Sequence, residues 1–181
     1  MVTIVSLWLP ILLSSVFVFV ASAIVHMVLP HHHADHRAAP AEDVALAALR
    51  ALNLPPGDYM APHPRNMKKT EKGGRPAITD VYLLRVLSFR GMGPLLGQWF
   101  AYIVICGAIS AYVAGRALGP GAPYLAVFRF AGTAAFLCYA VAMWQDSIWY
   151  GRPWGTTLRY TLDGLVYAGL TAGTFGWLWP R

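Results

Sequence analysis

The run from Ile4 to Leu29, IVSLWLPILLSSVFVFVASAIVHMVL, holds no Lys, Arg, Asp or Glu. About 20 such residues, at roughly 1.5 Å each, cross the hydrocarbon of a bilayer. The run therefore predicts a membrane helix over residues 4–29. Pro30 supplies its stop, because proline cannot continue the hydrogen-bond ladder and pushes the residue before it out of the helical region. A secretory leader is the rival reading, since Ala21, Ser22 and Ala23 resemble a small-residue cleavage site. No basic residue precedes the run, however, and it exceeds the roughly 7–15 apolar residues of a leader. We read it as an uncleaved first span.

Three more apolar stretches follow, at 95–117, 124–150 and 158–179. Only 12% of the 181 residues are charged and 57% are hydrophobic, against about 25% charged in a soluble domain. The expected fold is an all-α integral membrane protein of four transmembrane helices, with a segment of about 60 residues, 30–94, between the first and second. The net charge of +6 is bunched, so it speaks to membrane orientation and anionic lipid, and no nucleic-acid module is present. Arg37, Arg50, Arg65, Lys68, Lys69, Lys72, Arg75, Arg85 and Arg90 fall in the first loop, and Arg152 in the third. Arg116, Arg129 and Arg181 are all that the other side offers. The positive-inside rule then puts the long first loop in the cytoplasm and both termini outside. Cys106 and Cys138 lie inside apolar runs, where a thiol behaves as a small hydrophobe.

Within the long segment, Pro40, Glu42 and Asp43 start a short amphipathic helix over 41–52, ended by Pro55, Pro56 and Gly57. Pro62 and Pro64 keep the chain extended, and the basic KKTEKGGRP run reads as a solvated loop that meets anionic lipid. Residues 77–90 alternate too poorly for a strand, and the reading favours surface-lying amphipathic structure.

Chemistry has few candidates. With the spans as drawn, His26, Gln98, Gln145, Asp146 and Asp163 all fall one to two turns inside the cytoplasmic helix ends. Ionisable groups at such depth tend to face the bundle interior and to pair, so an inward polar cluster is expected, with Arg159 as partner for either carboxylate. Just beyond it lies HHHADHR. If that stretch is helical, His32 and His36, or His33 and His36, share a face and could hold a divalent metal, with Asp35, His26 and His63 as further donors. The alternative is a solvated histidine cluster against anionic lipid. Gly107, Ala111 and Gly115, and Gly169 with Gly173, are spaced four apart as in close helix packing, within the bundle or against another subunit. No GxSxG, phosphate-binding loop or dinucleotide fingerprint occurs, so enzyme chemistry has no motif behind it.

By its PPGDYMAPHP stretch, its WQDSIWYGRPW turn and its closing TLDGLVYAGLTAGTFGWLWPR, the chain resembles an uncharacterised family of small bacterial inner-membrane proteins. The resemblance implies a bacterial membrane location and carries over no site residue. The function expected first is that of an accessory or scaffold component of a larger membrane assembly, through other subunits or self-association. A metal-binding membrane protein comes second, and a membrane-embedded enzyme acting on a lipid or quinone third.

Overall fold

The computed structural model describes residues 1–36, 38–63, 82–87 and 91–181. The chain is mostly helical and divides into two units, Met1–His36 with Gly91–Arg181, and Arg37–Arg90.

The first unit is a helix bundle. A single 3-10 turn, Val5–Leu7, leads into α1, Trp8–Met27, whose Pro10 sits in the first turn where no backbone donor is lost. At Leu29 the backbone is extended (φ −84°, ψ 136°) before Pro30 opens another 3-10 turn, Pro30–His32. The helix thus ends at Met27, two residues short of the Leu29 expected from the proline. Helix α3 runs Met92–Ala117, and α4 runs Tyr124–Tyr139. A 3-10 turn, Val141–Met143, separates α4 from the short α5, Trp144–Tyr150, and α6 follows as Trp154–Trp177.

Three stretches are long and apolar enough to cross a bilayer: Val5–Met27, Met92–Ala117 and Tyr124–Tyr150. Helix α6 has the length but carries Arg159, Asp163 and several threonines and glycines, which lower its hydropathy. It is also the helix most enclosed by its neighbours, with Phe175, Thr171 and Thr157 fully buried. A helix wrapped by others need not be apolar all round.

Packing relies on close backbone approach. A methyl on Gly115 would meet the Val2 carbonyl oxygen at 2.6 Å, and Val2 N–H donates to the Gly115 carbonyl at 2.9 Å. Gly107 faces Ile11, and Ala111 is fully buried. The small-residue face of α3 is therefore filled by the N-terminal segment and α1. On α6, Gly164 lies against Ala140, where a methyl would come within 2.8 Å of the Ala140 side chain. That contact coincides with the break after α4, and Ala140 has φ −122° and ψ −54°. The third apolar stretch, Tyr124–Tyr150, is thus long enough to span but is built of two α-helices with a 3-10 joint and not of one continuous helix.

One end of the bundle is tied by backbone and indole bonds. Gly121 N–H donates to the Pro180 carbonyl at 2.8 Å, and Trp179 Nε1 donates to the Gly119 carbonyl at 3.0 Å.

The second unit contains α2, Glu42–Ala51, with Glu42 and Asp43 in its first turn, and a two-stranded antiparallel sheet. Strand β1, Gly57–Ala61, pairs with β2, Tyr82–Val86, in the register Gly57↔Val86 through Ala61↔Tyr82. This corrects two expectations: the chain is not purely α-helical, and residues 82–86 form a strand and not a surface helix. The pairing is between segments remote in sequence, so neither strand carries its own evidence of it. Arg85 on β2 pairs with Asp58 opposite it on β1. The basic run and residues 77–81 and 88–90 lie outside the described residues.

Candidate metal centre and adjoining cavity

The Pro30–His32 turn bends the chain back over the end of α1 and toward α6. There, His32 Nε2 lies 2.7 Å from Asp163 Oδ2, and His31 Nε2 lies 3.1 Å from Asp163 Oδ1. His32 Nδ1 in turn meets Asp35 Oδ2 at 2.6 Å. Asp35 is also held from α6: Arg159 Nε donates to its Oδ1 at 2.8 Å, and the Arg159 Nη2 group approaches the same oxygen. The chain of contacts reads Asp163, His32, Asp35, Arg159. Its carboxylates are buried, with side chains 7% and 2% exposed for Asp163 and Asp35.

His26, on the last turn of α1, completes a group. One ligand atom each from His26, His32 and Asp163 lies within 4.8 Å of the others. Tyr160 closes the site, its ring 4.8 Å from that of His32 and 6.0 Å from that of His26. Arg152 stacks over Tyr160 at 4.9 Å and bonds Asp146 at 3.3 Å.

The proton inventory is informative. A carboxylate only accepts, and a neutral imidazole has one donor. Both ring nitrogens of His32 face carboxylate oxygens, so either a proton lies in each gap, carried by the ring or by the carboxyl, or His32 donates from Nδ1 while a cation takes the place of the proton at Nε2. In the first state the additional proton and Arg159 balance Asp35 and Asp163. In the second, Asp35 plays the part of the carboxylate that commonly orients a metal-binding imidazole. Burial works against the ionised Asp35, but the His32 and Arg159 donors outweigh it and hold its carboxyl below the ordinary range.

The residues singled out from the sequence divide sharply. His26, His32 and Asp163 come together. Asp35 lies behind His32, paired with Arg159, and is not among the three clustered ligand atoms. His33 and His36 are exposed and stand apart from the group, because the chain turns through a 3-10 helix and bends where a regular helix would have aligned them with His32. Gln98 and Gln145 are exposed, and Asp146 pairs with Arg152. Arg159 serves Asp35 and neither of the two carboxylates expected. His31, which the metal reading had passed over, is on Asp163.

Next to this group α1, α3, α4 and α6 line a partly open cavity of about 810 Å³. Asp163 and His26 stand in its wall, and the exposed Met27, Met92 and Leu95 rim it. Its inner wall is aromatic: Phe19, Trp99, Tyr102, Tyr139 and Tyr167. Trp99 Nε1 donates to Ser22 Oγ at 2.9 Å, and the Tyr102 hydroxyl donates to the Cys138 carbonyl at 2.6 Å.

No protein-family model, curated protein or solved structure matches this chain.

Proposed function

We propose that this protein is a membrane-embedded metal-binding protein, holding a divalent first-row transition metal on His26, His32 and Asp163, with His31 beside them. The observation that carries the reading is the convergence of these ligand atoms, from the end of α1, the turn after it and the middle of α6, within 4.8 Å. Two imidazoles and a carboxylate suit zinc and iron(II), and leave positions open for water or a further ligand. Metal bonds of about 2.0–2.2 Å require donor atoms roughly 3–3.5 Å apart, so the 2.7 Å between His32 Nε2 and Asp163 Oδ2 has to open, and a group whose ligand atoms spread to within 4.8 Å of one another has to draw in around the ion. Asp35 on Nδ1 and Arg159 behind it supply the outer shell that such a ligand needs. Protons and metal compete for the imidazole, so affinity falls as the pH is lowered.

We further propose four spans in a bacterial inner membrane, with both termini outside and the 30–94 loop cytoplasmic. Helix α6 supports the fourth span: it runs alongside α1 and α4, and its end is bonded to the α3–α4 turn by Gly121 and Trp179. On this arrangement the metal group is at the cytoplasmic end. The accessory-subunit reading keeps one of its two small-residue faces: Gly107, Ala111 and Gly115 are occupied within the bundle, whereas a methyl on Gly169 would meet nothing within 4 Å.

The test is metal analysis of protein purified from its native membrane in mild detergent. About one transition metal per chain is expected, lost in His32→Ala and in Asp163→Asn. Metal-free wild-type protein, or equal metal in wild type and both variants, would sink the reading.

A further inference from the structure

Two groups in the cavity wall are not explained by the metal. Tyr139 and Tyr167 are 6% and 4% exposed, and both line the cavity. Neither hydroxyl makes a well-formed hydrogen bond among the described residues, that of Tyr139 lying near Thr171 and Cys106 and that of Tyr167 having no such neighbour. Buried hydroxyls are nearly always paired, because one withdrawn from water without a partner loses a bond and regains none. The polar atoms of Trp99 and Tyr102, in the same wall, obey that rule. The Tyr139 and Tyr167 rings meet edge to face, with centroids 5.8 Å apart, so the two phenols form one paired feature.

The rest of the wall decides the character of a partner. Phe19, Trp99 and Met143 offer apolar surface, and the rim residues Met27, Met92 and Leu95 lie at the ends of helices apolar enough to cross a bilayer. A ligand reaching this space from the membrane must itself be lipid-soluble. It satisfies the phenols best with carbonyl oxygens, which accept bonds and lose less on leaving water than a donor with no partner. A volume of about 810 Å³ lies within the range of small-molecule sites. We propose that the cavity binds a lipid-soluble molecule whose carbonyl oxygens accept from the Tyr139 and Tyr167 hydroxyls while its apolar body lies against Phe19, Trp99 and Met27. A quinone ring and a fatty acyl group share this chemistry. The proposal stands on the cavity and the two phenols. It shares Asp163 and His26 with the metal reading but does not depend on it, so the two can fail separately.

The experiment uses the full chain in nanodiscs of saturated phosphatidylcholine and a radiolabelled probe, either a short-chain benzoquinone or a cis-unsaturated fatty acid. Binding is counted above empty nanodiscs, with metal content measured on the same samples. At least one probe should bind saturably, and which one it is assigns the source. Tyr139→Phe and Tyr167→Phe keep the rings and remove only the hydroxyls; each should weaken binding by about fivefold with metal content unchanged. Ala142→Trp, which fills the cavity from an exposed position in its lining, should abolish binding. No saturable binding of either probe by folded wild-type protein, or wild-type affinity in both phenylalanine variants, overturns the proposal. Probe binding by protein that holds no metal keeps it and removes the metal reading instead.

Discussion

Asp35 tests whether the outer shell of the site matters as its geometry says. Its side chain is 2% exposed and joins His32 Nδ1 to Arg159. Asp35→Asn keeps the shape and removes the charge that orients the imidazole, and such partners are typically worth about 10–100-fold in metal affinity. We expect a loss in that range by competition with a chromophoric chelator, while the metal is still bound at saturation. Asp163→Asn should instead abolish stoichiometric binding, because it removes a ligand. Equal affinities in wild type and Asp35→Asn would show that the contact only braces the turn. At this scale the sequence was half legible. Depth within the spans pointed to His26 and Asp163, since ionisable groups seldom sit there without partners. It could not show that His32 meets Asp163, 131 positions away. Helical spacing also misled over His36, because Pro30 starts a 3-10 turn whose continuation carries that ring away from the site.

Gly164 and Gly169 on α6 look alike in sequence, yet they meet different surroundings. A methyl at Gly164 would lie 2.8 Å from the Ala140 side chain and 3.3 Å from its backbone Cα and N. Backbone cannot swing aside as a flexible side chain can, so Gly164→Ala should cost about 1–3 kcal/mol, the usual penalty of overpacking. Nothing lies within 4 Å of such a methyl at Gly169. Alanine there should be neutral, or stabilising by about 0.5–1 kcal/mol through its better helix propensity. Thermal unfolding of the two variants in one detergent decides the matter, and equal shifts would deny the close approach at Ala140. The elements themselves were readable because long apolar runs bounded by Pro and Gly leave few alternatives. The break after Tyr139 was not, since no proline or glycine marks it and it coincides with the contact from Gly164. The sheet was missed for a related reason: β1 and β2 are stabilised by each other, and each alone is a short ambiguous run.

For the whole molecule, the side of the membrane on which the metal group lies decides what the protein can serve. On the four-span topology proposed above, the basic residues of the 30–94 segment put that segment in the cytoplasm and the turn between α3 and α4 on the outer side. Two exposed positions report the two ends of the bundle without touching the site: His33, outside the ligand group, and Gly119, where an added side chain meets nothing within 4 Å. In a background with Cys106 and Cys138 replaced by serine, a membrane-impermeant maleimide added to intact cells should label Gly119→Cys. It should reach His33→Cys only after the cells are opened. The reverse pattern would turn the protein over and put the histidines outside, where they would draw on a different metal supply. Labelling of both from outside would mean that α1 and α3 do not place these two positions across a membrane from one another. The outcome also bears on α6. An added cysteine after Arg181 should label together with Gly119→Cys, because the Gly121–Pro180 and Trp179–Gly119 bonds hold the end of α6 against that turn.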